Sequence, residues 1–224
     1  MTPLTKKLQS VFSAHANQVK AAEMSRYMKN HFPYFGISKP ERARIQKPFI
    51  EECKQLKGTE LTLLARQLWT LPHREFQYTC MDMLDATRKA ADETMLNVYV
   101  DLVTEKSWWD TVDILASNLI GKYCQPNHTP YKSMFVKFSK HENIWLNRVA
   151  LLHQLKYKHN TDETLLIACI SHCKHKKEFF VQKAIGWALR QHSRVNPVFV
   201  ANYCSKYPLS NLAKREAMKL ITSA

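Results

Sequence analysis

The chain has 224 residues, 45% of them hydrophobic, which is enough to bury a substantial core, and it carries a formal charge of +14. Its four glycines, Gly36, Gly58, Gly121 and Gly186, are too dispersed to form a phosphate-cradling loop, which excludes Walker and dinucleotide-binding fingerprints and with them a nucleotide cofactor. Six cysteines without a Cys-x-x-Cys pair read as reduced thiols rather than as a disulfide framework.

In chain order, the segment from Met1 to Lys7 lacks the apolar core of a signal peptide, and no later apolar run approaches the span of a bilayer. A cytoplasmic protein without membrane contact is expected. Helix starts are marked at Thr2-Pro3, Ser38-x-x-Glu41, Thr129-Pro130 and Asn196-Pro197, with proline just inside the first turn or an acid three residues after the cap. Between them, apolar residues recur at spacings of three and four, as in Leu4, Leu8, Val11 and Phe12, or Leu61, Leu64, Leu68 and Trp69, without sustained alternation. The pattern predicts an all-α fold of about a dozen helices in one domain over residues 1–224.

Charge is unevenly placed. Residues 1–57, 58–131, 132–190 and 191–224 carry net charges of +7, −4, +7 and +4. A basic chain with one acidic quarter fits a surface that grips a polyanion, most plausibly nucleic acid.

The acidic quarter holds Ser107 to Asp113, Ser-Trp-Trp-Asp-Thr-Val-Asp. On a helix this stacks Trp109 one turn below Asp113 on one face. Asp110, three residues after Ser107, reads as the acid of a capping arrangement favoured by the helix dipole. Asp113 lies one turn deeper, where an acid gains little from the dipole.

A weak repeat with a 35-residue step orders the helices. From Trp109 it visits Arg74, Ile144, Phe179 and Lys214, and it matches Asp113 to Tyr78, Arg148, Lys183 and Met218. Six residues after the first set stand Cys80, Leu115, Ala150, Ile185 and Leu220, a uniformly apolar row expected in the core. A conserved-type core position among varied neighbours is what stacked helix pairs show. The expected architecture is a HEAT-like solenoid whose concave face collects Trp109, Asp113, Arg148, Phe179 and Lys183, with Trp187 one turn beyond Lys183. Cys169, His172, Cys173 and His175 read as small core residues and solvated imidazoles, so no metal is expected.

These segments carry a family resemblance. Met24 to Phe35 (MSRYMKNHFPYF), Lys106 to Asp113 (KSWWDTVD), Asn143 to Ala150 (NIWLNRVA), Leu155 to Lys158 (LKYK) and Glu178 to Arg190 (EFFVQKAIGWALR) resemble the AlkD family of alkylpurine DNA glycosylases, in order and over essentially the whole chain. The resemblance implies a HEAT-like protein that wraps duplex DNA and hydrolyses the N-glycosidic bond of N3- and N7-alkylated purines in base excision repair. It places the cleft on Trp109, Asp113, Trp187 and Arg148. The last helix is expected to run short beyond Ile221 without reaching that cleft.

An N3- or N7-alkylated purine is already cationic and leaves neutral, so no strong general acid is required. Positive charge develops on the deoxyribose, and Asp113 would stabilise it, by roughly 4 kcal/mol for a unit pair ~4 Å apart at an effective dielectric of about 20. The indole faces of Trp109 and Trp187 would flank the sugar. Arg148 and Arg190 would hold phosphates, with Lys156 and Lys183 as further contacts. Lys183 is read as a phosphate contact rather than as a Schiff-base nucleophile. Tyr27, beside Arg26 and Lys29, is the favoured DNA-facing aromatic over Phe179 and Phe180. The expected protein is a cofactor-free monofunctional glycosylase, monomeric, whose partner is duplex DNA containing alkylated purines. The alternatives are a non-catalytic HEAT-like protein that binds structured or branched DNA and, more distantly, a scaffold for protein partners.

Overall fold

Residues 2–221 are described in the structure, a computed structural model, and among them the three-and-four spacing folds as α-helices with no β-strand. The chain divides into two compact units, Met1–Val98 and Tyr99–Ala224. No helix among the described residues is long and apolar enough to cross a membrane.

The first unit contains α1 (Pro3–Ala14), α2 (Gln18–Tyr27), α3 (Lys39–Ile45), α4 (Lys47–Cys53), α5 (Gly58–Thr70) and α6 (Arg74–Ala86), and α7 (Glu93–Thr104) runs across the division. Helix α6 packs on α4 and α5, and α5 on α1. Buried Glu75 anchors the loop before α3 by accepting hydrogen bonds from the backbone N–H groups of Phe35, Gly36 and Ile37. Gly36 has φ +85°, and a Cβ there would lie 2.1 Å from the Asn17 carbonyl oxygen, so only glycine fits.

In the second unit the chain runs unbroken from α8 (Trp109–Ile114) through a π-helical turn at Leu115–Ile120 into α9 (Gly121–Cys124). There follow α10 (Lys132–Lys140), α11 (Ile144–Leu152), α12 (Glu163–Cys173), α13 (Phe179–Ser193), α14 (Pro197–Lys206) and α15 (Asn211–Met218). They stack as pairs: α10 lies on α11 and α12, α11 on α13, and α13 on α15.

The 35-residue step has a physical basis that reading by apolar rows does not reveal. Gln77, Asn147 and Gln182 sit at equivalent positions and are all buried. The Gln77 side-chain amide donates to the carbonyls of Leu68, Trp69 and Leu71, and the Asn147 amide donates to those of Phe138, Ser139 and His141. Gln182 donates to the carbonyls of Lys174 and Lys176. Each amide thus satisfies the orphan carbonyls at the C-terminal end of the preceding helix, α5, α10 or α12, and fixes its partner helix against it. The equivalent position before Asp113 is Val112, which cannot do this; there the Ser107 hydroxyl donates to the Val103 carbonyl at 2.6 Å.

Three sequence expectations need correction. Ser107 bonds back to α7 and does not cap α8, whose N-cap position is Trp108 without a side-chain cap bond; Asp110 does lie in the first turn. Thr129-Pro130 opens a 3-10 turn, Thr129–Tyr131, from which α10 follows. In the apolar row, Cys80, Leu115, Ala150 and Ile185 are fully buried but Leu220 is exposed, because α15 ends at Met218 and its buried face is formed by Ala213, Glu216 and Ala217. Thr2, Asn196 and Ser38 do begin helices, although the Ser38 side chain makes no cap bond. The expected shortening beyond Ile221 lies outside the described residues.

Candidate active site

Close approach of Gly121, where α9 begins, to His153, just past the end of α11, places the site. A Cβ on Gly121 would lie 2.2 Å from the His153 carbonyl oxygen, so a glycine is required for this packing, and the Tyr157 hydroxyl closes it by donating to the Gly121 carbonyl at 2.8 Å. The π-helical turn just before, at which the Gly121 N–H reaches back to the Ala116 carbonyl, re-aims the helix between this contact and Asp113. Helix α8 thereby faces α11, and residues one repeat apart in sequence, Asp113 and Arg148, come into contact.

That contact is a two-pronged ion pair. Arg148 donates from Nε to Asp113 Oδ1 at 2.6 Å and from Nη2 to Oδ2 at 2.9 Å, while its Nη1 donates to the Phe180 carbonyl at 2.7 Å. The Arg148 side chain is 5% exposed and that of Asp113 15%. Burial pushes the Asp113 carboxyl above the usual carboxylate range, and the Arg148 guanidinium pulls it back. Arg148, expected on a phosphate, therefore has three donors committed within the protein and orients Asp113. The guanidinium carbon also lies 5.9 Å from the Phe180 ring centre and 6.0 Å from that of Trp187.

Trp109, Arg148, Phe179, Phe180 and Lys183 line an open cleft of about 240 Å³. Its floor is held by packing of Phe180 on Trp108 and Trp145, with ring centres 5.0 and 5.2 Å apart. Phe179 is 56% exposed at the edge. The repeat placed Phe179 on this face, opposite Trp109, although neither phenylalanine was favoured as a DNA contact because aromatics at helical spacing usually pack in a core; Phe180, which aligns with Asp110, carried no such signal.

Lys183, Trp187 and Arg190 share one face of α13. Lys183 Nζ lies 3.0 Å from Glu216 Oε1 and Arg190 Nη1 lies 2.7 Å from Glu216 Oε2. Glu216, missed in the sequence, is the only acid among residues 191–224. Lys156 is exposed in the turn after α11. Tyr27 is 72% exposed at the end of α2, in the first unit.

Cys169 and Cys173 are buried, their thiols facing the carbonyls of Phe135 and Ser139 and each pushed by burial up to about 12, while His172 bonds the Ser139 hydroxyl. No group of three or more His, Cys, Asp or Glu side chains that could hold a metal occurs among the described residues.

The sequence profile of the DNA alkylation repair enzyme family matches residues 8–221. The chain belongs to the DNA alkylation repair enzyme family. It is similar to the solved structure of a predicted DNA alkylation repair enzyme from Enterococcus faecalis, at 34% identity over 93% of this chain and 98% of that one, with a TM-score of 0.88. It is also similar in fold to AlkD2 from Streptococcus mutans, at 19% identity over 81% of this chain and 97% of that one, TM-score 0.61. None of the curated proteins compared with the chain matches it. The all-α helical-repeat fold and the family expected from the sequence are those found, and membership makes the chain an enzyme of DNA alkylation repair.

Proposed function

We propose that this family member is a monofunctional DNA glycosylase that hydrolyses the N-glycosidic bond of cationic N3- and N7-alkylated purines, 3-methyladenine and 7-methylguanine among them, in duplex DNA. The observation that carries the reading is the carboxylate of Asp113, fixed by two bonds from Arg148 beside an aromatic cleft in a chain of charge +14. A carboxylate held in one orientation costs no reorganisation when charge develops on the sugar, and this selective stabilisation of the transition state lowers the barrier. Arg148 is the positioning residue. Trp109 and Trp187 would present their faces to the cationic sugar, and the exposed edge of Phe179 widens the apolar wall.

The lesion supplies its own leaving-group activation, because it carries positive charge before the bond breaks. Asp113 would also accept a hydrogen bond from the attacking water and orient it. Lys183, Arg190 and Lys156 are assigned to backbone phosphates, which set the register without reading bases, and exposed Tyr27 to a further contact on the duplex. No cofactor is assigned. The protein is proposed to act as a monomer, as one functional domain over residues 1–224, in the cytoplasm on chromosomal DNA.

Purified protein should release 7-methylguanine from methylated duplex DNA under single-turnover conditions. Tight duplex binding without release would instead support the non-catalytic reading, a helical-repeat protein for structured DNA.

A further inference from the structure

Glu216 is a carboxylate almost wholly enclosed by cations. Its side chain is 6% exposed, and its Oε1 lies 3.0 Å from Lys183 Nζ and 2.7 Å from Lys219 Nζ, with Oε2 2.7 Å from Arg190 Nη1. The three cations are themselves partly exposed, at 36%, 49% and 27%. On this patch three formal positive charges meet one negative.

The backbone is built to allow this convergence. A Cβ on Gly186 would meet the Glu216 Cβ at 2.4 Å and the Ala213 carbonyl oxygen at 2.7 Å, so α15 reaches α13 only because residue 186 has no side chain. Gly186 lies between Lys183 and Arg190 on α13, so the carboxylate enters between the two cations that flank Trp187. Lys183 also lines the Trp109 and Arg148 cleft, which makes the patch continuous with it.

We propose that Lys183, Arg190 and Lys219 form a seat for one phosphodiester oxyanion of the DNA backbone, and that Glu216 is the positioning residue that assembles it. The assignment rests on the chain acting on duplex DNA. Three long side chains of like charge would otherwise spread into solvent, where each samples many rotamers. The carboxylate offsets their repulsion by accepting from all three, while the cationic side chains stay partly exposed. A phosphate arriving above meets cations already ordered, so less entropy is lost on binding.

The test turns on sign. Glu216→Gln raises the net charge by one, so non-specific attraction alone would tighten duplex binding. Assembly of the seat by Glu216 requires the reverse: about 5- to 10-fold weaker binding to an undamaged duplex, and a log-log salt slope smaller in magnitude by about one, the contribution of one phosphate. In excision, the loss should appear in the protein concentration giving half-maximal rate. Glu216→Asp keeps the charge and should recover most of the affinity.

A thermal midpoint measured alongside identifies a variant that fails to fold. In that case Lys219→Ala, at the patch rim, takes its place with the same expected fall in slope. A folded Glu216→Gln protein that binds duplex as tightly as wild type, with an unchanged slope, would overturn the proposal. So would a phosphate-dependent rise in the wild-type midpoint, absent from Glu216→Gln, with equal duplex binding by both, since the seat would then serve free inorganic phosphate. A wild type that binds no duplex refutes the functional reading itself before any variant is compared.

Discussion

Asp113→Asn removes the negative charge of the buried pair while preserving its shape, and the geometry sets two separate losses. A bare carboxylate ~4 Å from the developing cation at an effective dielectric of about 20 is worth roughly 4 kcal/mol. Arg148 is bonded to both oxygens, so its opposite charge lies about 3 Å farther from the sugar and cancels roughly 2 kcal/mol of that. The intact pair thus contributes a net of about 2 kcal/mol, but Asp113→Asn leaves the Arg148 charge in place, so the full roughly 4 kcal/mol of the carboxylate is lost and excision at saturating protein should fall by about three decades. The second loss is structural. Arg148 is 5% exposed and would keep its charge without its counter-ion. Removing one partner of a buried pair costs about 3–5 kcal/mol, and asparagine, which still accepts one bond, falls at the lower end. For a chain of this length that lowers the thermal midpoint by about 6–12 °C. Single-turnover kinetics with differential scanning calorimetry on Asp113→Asn, Arg148→Met and the double variant separate the two effects. The double variant should be less destabilised than the sum of the singles by about 2 kcal/mol or more. Additive stabilities, or near-wild-type excision by folded Asp113→Asn, would refute the coupled-pair mechanism.

The raised Asp113 carboxyl makes a further demand: if the ionised form is required, the excision rate should decline on the acid side at a pH above the usual carboxylate range, and a flat profile down to pH 4 would remove that requirement. Gly121→Ala places a methyl 2.2 Å from a backbone oxygen that cannot rotate away; a loss on the order of 3 kcal/mol is expected in denaturant unfolding, with excision reduced because α8 is displaced from α11. His153 is buried against Phe135 and His128 and is held down to about 3, so between pH 6.5 and about 3 the unfolded chain takes up a proton the folded one refuses. Stability should therefore fall as pH drops below 6.5, by up to about 1.4 kcal/mol per pH unit, and an equal slope in His153→Phe would show that another group is responsible. Finally, if selectivity comes from the charge of the lesion, 7-methylguanine and a bulky N3-adenine adduct should both be released while hypoxanthine is left in place. Efficient hypoxanthine release in the same duplex context would require an acid or a base-reading pocket that this cleft does not supply.

The sequence by itself determined the helical class and the repeat, because both depend on local spacing: three-and-four periodicity specifies an apolar face, and a 35-residue step specifies which faces stack. That step even aligned Asp113 with Arg148 before either had a position in space. It could not say that the two would bond, since an arginine one repeat away reaches a carboxylate only if the helix axes come close enough, and here that distance is set by the absent side chain of Gly121 against the His153 carbonyl. Glu216 was equally hidden. It is the only acid among residues 191–224, yet nothing local directs it toward Lys183 and Arg190, roughly 30 residues earlier; Gly186 does so by letting α15 close on α13. Side-chain type and periodicity are properties of one helix at a time and can be read along the chain. Which charges meet depends on how two helices pack, and in both cases here a glycine permits the approach.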